Sequence, residues 1–283
     1  MMARRRTWPR SIAELVQGLL VFMVALYGVP GCGRAESPRR TESIMVLAAA
    51  SLAEAMSEIG PAFEADNPGV NVRFSFAGSN QLRMQLENGS PGDVFASADR
   101  RQMHAAEVSG GIQPATIRMF AGNTLAIIVP KANRAGVNQL TDLARPGVRI
   151  VVASDMVPAG SYTLRMLERA GGLAEFGPGF VRAIEANTVS REENVAAVVT
   201  KVVLDEADAG IAYLSDASGN RAAGLIVLSL PPALEERAEY LAAVTARAGN
   251  SSRAQRFVEF LASDKASAML KRRGFTAPAS GAP

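Results

Sequence analysis

The sequence predicts an α/β protein with mainly parallel sheets, folded as two lobes. Three observations carry this. Short apolar runs alternate with segments of helical spacing along the chain, a pattern that belongs to sheets covered by helices. The junctions from strand to helix are rich in Ala, Gly, Ser and Asn. About 250 residues remain once the N-terminal segment is set aside, enough for two separate cores.

Residues 1–31 read as an export signal. Arg4, Arg5, Arg6 and Arg10 form a basic start, and residues 15–29 are apolar but for Gln17 and the glycines. The apolar run is short for a membrane span. It ends in Val29-Pro30-Gly31-Cys32, which is similar to a lipoprotein signal, with Cys32 as the lipidated first residue. A plain secretory signal with an incidental cysteine is the alternative, and Pro30 departs from the usual lipoprotein pattern. Cys32 is the only cysteine, so no internal disulfide is available, and lipidation accounts for the odd thiol. Residues 32–41 read as a polar tether from a lipid anchor to the fold.

Charge excludes one class of function. The chain carries 30 basic and 27 acidic residues; residues 1–31 hold four arginines and one glutamate, which leaves 26 of each sign. The basic pI therefore reflects the signal, and no nucleic-acid partner is expected.

The elements follow in order. Residues 45–48 form a buried strand. Leu52, Met56, Ile59 and Phe63 then have helical spacing, which predicts a helix over 52–65, with Ser51 as its N-cap and Glu54 completing a capping box. Val70, Val72, Phe74 and Phe76 alternate as a strand, and 78–80 turn into a helix over 81–87. A strand over 93–97, a helix over 100–108 and an apolar strand over 124–129 follow. The second set is read as a strand over 148–153, a helix over 162–170, a short strand over 180–184 and a helix from 190–194 to about 204. Strands over 208–214, 225–230 and 240–246 come next. Terminal helices over 252–262 and 264–272 close on Gly274.

The usual catalytic constellations are missing from the sequence. The one histidine, His104, lies in a charged helical stretch and reads as solvated. No Gly-x-Ser-x-Gly surrounds a serine, no metal-ligand spacing occurs, and there is no phosphate-binding glycine loop. What remains are strand-to-helix turns at Ala50-Ser51-Leu52, Gly78-Ser79-Asn80, Pro158-Ala159-Gly160 and Glu193-Asn194-Val195, with Tyr213 at a strand end. None carries Lys or Arg at its tip. Ligands of open α/β sheets bind beyond the carboxyl ends of the strands. Four helix N-termini aimed into one cleft would hold an anion by free N–H groups and their partial positive charge. Asp93, Asp99 and Asp216 are read as caps and turn formers.

These residues also carry a family resemblance over nearly all of 41–276. The motifs are Leu47-Ala-Ala-Ala-Ser-Leu-Ala-Glu-Ala-Met56, Phe76-Ala-Gly-Ser-Asn-Gln-Leu82 and Gly92-Asp-Val-Phe-Ala-Ser-Ala-Asp99, then Gly122-Asn-Thr-Leu125 and Val157-Pro-Ala-Gly-Ser-Tyr162. Glu193-Asn-Val195, Ala207-Asp-Ala-Gly-Ile-Ala-Tyr213-Leu-Ser-Asp216 and Arg273-Gly-Phe275 complete them. The chain resembles the molybdate-binding proteins of ABC-type importers. The segment 153–156 departs from that pattern, since relatives often carry a proline there.

The resemblance implies a type II periplasmic-binding-protein fold, with lobe 1 over 42–124 and 241–283, lobe 2 over 125–240, and crossing strands as the hinge. It implies that Ser51 and Ser79 hold the oxyanion by their hydroxyls, Ala159 and Val195 by backbone N–H groups, and Tyr213 by its phenol. Molybdenum would be held only through its oxygens, with no cofactor. The implied ligand is molybdate, with tungstate beside it. The implied partners are a membrane permease and its ATPase, serving an extracytoplasmic, monomeric, lipid-anchored protein that is not an enzyme. Two other readings stand beside it: a binding protein for sulfate or thiosulfate, and a secreted hydrolase using Ser51 or Ser79.

Overall fold

The computed structural model describes residues 42–218 and 223–278. The signal and tether expected over 1–41, Cys32 among them, lie outside the described residues. Among the described residues nine strands lie in the order β2-β1-β3-β9-β4-β7-β5-β6, with β8 also paired to β4. They are β1 (Glu42–Ala49), β2 (Val70–Ala77), β3 (Val94–Ser97), β4 (Arg118–Pro130), β5 (Ile150–Ala153), β6 (Thr188–Glu192), β7 (Ala209–Tyr213), β8 (Leu225–Ser229) and β9 (Arg237–Val244). The helices are α1 (Ala53–Asp66), α2 (Ser79–Glu87), α3 (Arg100–Val108), α4 (Pro158–Gly171), α5 (Phe180–Asn187), α6 (Val195–Val203), α7 (Ser251–Leu261) and α8 (Asp264–Arg272).

The pairings of β1 with β2 and β3, and of β5 with β6 and β7, are parallel. The antiparallel pairings belong to β4, β8 and β9. The long strand β4 serves two half-sheets. Up to Thr124 it pairs with β9; from Leu125 it pairs with β7, and from Ala126 also with β8. It passes between them through Gly122, Asn123 and Thr124, where the chain's C-terminal segment is tied on by Gly122–Thr276 backbone bonds of 2.9 and 2.8 Å.

Parallel strands covered on both faces must be apolar on both faces. Every residue of β3, β5 and β7 is buried accordingly. Helix α1 docks on α7 through Phe63, whose ring meets Phe257 edge-on at 5.1 Å. Gly274, at φ +81°, closes α8 where the sequence places its C-terminal glycine. No helix of the described residues is long and apolar enough to cross a membrane.

Four local expectations are corrected. Ser51 does not cap α1: it sits in a 3-10 turn, Ala50–Leu52, and the helix starts at Ala53 with no side-chain cap bond. The Ser51 hydroxyl bonds the Tyr240 hydroxyl instead, and Glu54 pairs with Arg273 at 3.0 Å. Residues 180–184 are the start of helix α5 rather than a strand; Phe180 and Ile184, one turn apart, are its buried face. Residues 190–192 belong to edge strand β6 rather than to the next helix. That helix begins at Val195, where Asn194 caps it by accepting from the Ala197 N–H at 3.0 Å. The helix expected over 162–170 starts four residues earlier, at Pro158, a residue suited to the first helical position.

Candidate functional site

Four turns meet in one small cavity. Its lining is Ala49, Ala50 and Ser51 after β1; Ala77, Gly78 and Ser79 after β2; Ala98 after β3; Val157, Pro158 and Ala159 at the start of α4; Asn194 and Val195 at the start of α6; and Tyr213 at the end of β7. All five residues singled out in the sequence, Ser51, Ser79, Ala159, Val195 and Tyr213, are therefore brought together. The cavity is small, with room for a compact ion rather than a sugar or a peptide.

Each turn leaves donors facing the cavity for a local reason. Ser79 is the first residue of α2, and its Oγ accepts the Ala98 N–H at 3.1 Å. An N–H cannot accept, so the Ser79 proton is left to donate elsewhere. In α4 the first residue is Pro158, which has no N–H, so the first free amide is that of Ala159. In α6 the Asn194 cap takes the Ala197 N–H and leaves the amide of Val195 without an acceptor inside the helix. The Tyr213 hydroxyl is buried and has no hydrogen-bond partner among the described residues.

None of the lining residues is charged. Burial holds the Tyr213 phenol well above its ordinary value of 10, with Tyr240, Tyr162, Asp99 and Asp216 adding to the effect. It stays protonated, a donor, through the neutral range. Asp99 is buried beneath Ala98, and burial raises its carboxyl against the pull of the Gln102 N–H, Arg101 and Arg165. Its oxygen caps α3 by accepting from Gln102 N at 2.7 Å. Asp216 accepts the Tyr213 N–H at 3.2 Å, and Asp93 accepts from Met45 N at 2.8 Å and Gly249 N at 2.7 Å. Asp99 and Asp216 are caps, as read from the sequence, whereas Asp93 instead ties strand β1 to the distant loop at Gly249. His104 is exposed, 3.4 Å from Glu107. No group of three or more His, Cys, Asp or Glu among the described residues is placed to hold a metal ion.

The halves of the fold touch at the cavity's rim. Gln81, on α2, accepts the Gly78 N–H at 3.2 Å and donates to Glu193, before α6, at 2.9 Å. Gly78 lies so near the Glu193 carbonyl that a Cβ built on it would stand 2.7 Å from that oxygen. Gly160 is as constrained within its own turn, where a Cβ would stand 1.9 Å from the Ser154 carbonyl. Two residues the sequence reading overlooked support the site from behind. Tyr240 bonds Ser51 at 2.9 Å, and Asn123 reaches Tyr240 at 3.3 Å. Asn123 lies inside a motif of the resemblance; Tyr240 carried no signal beyond its place in a strand.

Comparison with known proteins follows the same line. Residues 44–276 match the family described as bacterial extracellular solute-binding protein. The chain is 36% identical over 266 residues to the molybdate-binding protein ModA of Mycobacterium tuberculosis, covering 92% of this chain and 97% of that one. Among solved structures, the Azotobacter vinelandii periplasmic molybdate-binding protein aligns with a TM-score of 0.70 at 23% identity, over 83% of this chain and all of that one. The sulfate-binding protein SubI of Mycobacterium tuberculosis aligns at 0.73 and 20% identity, over 85% and 88%. At these identities the two structures speak for the fold alone.

Proposed function

The chain belongs to the bacterial extracellular solute-binding proteins, and we propose that within that family it captures molybdate, and tungstate equally, for delivery to an ABC importer. The observation that carries the reading is the buried, unpartnered hydroxyl of Tyr213, at the wall of a cavity lined by serines and helix N-termini and by no charged group. A buried polar group without a partner costs about 1–3 kcal/mol. An ion whose oxygens accept that hydrogen bond removes the cost.

The binding chemistry follows from the donor set. Ser51, Ser79 and Tyr213 offer hydroxyls, and Ala159 and Val195 offer amides. A dianion caged this way is stabilised by several charge-assisted hydrogen bonds and by helix termini, without an opposing side-chain charge. Charge does not separate molybdate from sulfate, so size does. Donors set for the larger tetrahedron stand too far from the smaller one, and each stretched bond costs on the order of 1 kcal/mol. Phosphate at neutral pH carries a proton that wants an acceptor, and no carboxylate lines the cavity. A hydrolase reading finds no base beside either serine. We take 42–124 with 241–283, and 125–240, as the two lobes that close on the ion. The permease and its ATPase, the lipid anchor at Cys32 and the monomeric state belong to the same proposal.

A thermal-shift panel tests it. Molybdate and tungstate at a hundred times their dissociation constants add about 2.7 kcal/mol and raise the melting temperature by several degrees. Sulfate and phosphate at the same concentrations leave it nearly unchanged. A larger shift with sulfate than with molybdate would move the assignment to sulfate.

A further inference from the structure

Behind Ser51 lies a buried chain of polar groups on the two strands that join the half-sheets. Asn123 on β4 and Tyr240 on β9 are both fully buried. The Asn123 Oδ1 accepts the N–H of Thr124 at 3.0 Å, which fixes the amide so that Nδ2 faces the other way. Nδ2 then donates to Ser215 Oγ at 2.7 Å and to Tyr240 Oη at 3.3 Å. An amide NH₂ has no acceptor capacity, so the Tyr240 oxygen is the acceptor in that bond. The phenol proton is left for its other contact, Ser51 Oγ at 2.9 Å. Ser51 thus accepts from behind, and its own proton is turned toward the cavity it lines. The Tyr240 ring is held for this by edge-on contacts with Phe275 at 5.2 Å, Tyr213 at 6.0 Å and Phe120 at 6.2 Å. Burial keeps the phenol far above its ordinary value, so the proton is present through the neutral range.

We propose that Asn123 and Tyr240 are positioning residues that fix the polarity of the Ser51 hydroxyl, holding its oxygen from behind so that its proton is aimed at the bound ion. The inference rests on the reading of Ser51 as a donor to the ion. The Ala98 amide holds the Ser79 oxygen from behind in the same way. Donors in a chain also polarise one another, which strengthens the last bond. Because Asn123 and Tyr240 sit on the strands that connect the half-sheets, the serine is aimed by the part of the fold both halves share.

A double-mutant cycle tests this, with titration calorimetry of molybdate at pH 7. Tyr240→Phe keeps the ring and removes the proton. It is expected to weaken molybdate about five- to tenfold in the wild-type background and less than about twofold on top of Ser51→Ala. Asn123→Ala, which leaves Tyr240 intact, gives a second entry to the cycle should Tyr240→Phe not fold. Equal losses in both backgrounds, or no loss in the wild-type background, would overturn the positioning role. The reading of the site fails separately, in the single variant: if Ser51→Ala binds molybdate normally, Ser51 is no ligand and the polarity inference falls with it.

Discussion

A methyl group at Gly78 is expected to remove most of the protein's affinity for its ion while leaving the unliganded fold intact. Gly78 has φ −60° and ψ 140°, values any residue adopts, so Gly78→Ala carries no backbone strain. The added Cβ would meet the side chain of Asn80 at 2.7 Å, and that amide can turn away. Its other neighbour cannot. The Glu193 carbonyl, also at 2.7 Å, is backbone from the facing half of the fold, two residues before Val195. The two halves would have to stop short by several tenths of an ångström, which draws the Val195 amide away from an ion held at Ser51 and Ser79. With two or more charge-assisted hydrogen bonds stretched, dissociation constants rise on the order of a hundredfold. Calorimetry beside a thermal melt reads both halves of the prediction. Unchanged affinity in Gly78→Ala would show that the ion is held without this approach.

Tyr213→Phe is expected to move stability and affinity in opposite directions. The hydroxyl is buried with no partner among the described residues, so deleting it removes a cost of about 1–3 kcal/mol. For a domain of this size that is a rise in melting temperature of several degrees. A hydrogen bond to a charged group is worth about 1.5–3 kcal/mol, so molybdate affinity falls roughly 10- to 150-fold. A purely structural tyrosine would lose stability on substitution and keep its affinity, the reverse pattern on both readouts.

What the sequence made legible, and what it hid, divide along sequence distance. The turns at Ser79, Ala159 and Val195 are local: a strand ends, small residues follow, and a helix begins. Their convergence on one cavity, expected from ligand sites beyond the carboxyl ends of strands, follows from strand order. Ser51 was placed at the right turn but in the wrong role as a cap. Its actual partner, Tyr240, is 189 residues away, and no local pattern reports such a pair. The misassigned helix at 180–184 has the same origin. Phe180, Val181 and Ile184 fit a strand or a helical stripe equally well, and packing of Phe180 and Ile184 on one face decided it. No residue of Thr188–Glu192 is fully buried because β6 is the edge strand, and its polar run from Ser190 resembled the first turn of a helix.

The central claim is that hydroxyls and backbone amides, with no cationic side chain, hold the ion. The most direct measurement is a crystal structure of the protein grown with molybdate, with the metal located by its anomalous scattering. The account predicts one tetrahedral ion whose oxygens lie about 3 Å from Ser51 Oγ, Ser79 Oγ, Tyr213 Oη and the amides of Ala159 and Val195. A lysine or arginine in contact with the ion, or an ion bound elsewhere with this cavity empty, would contradict it.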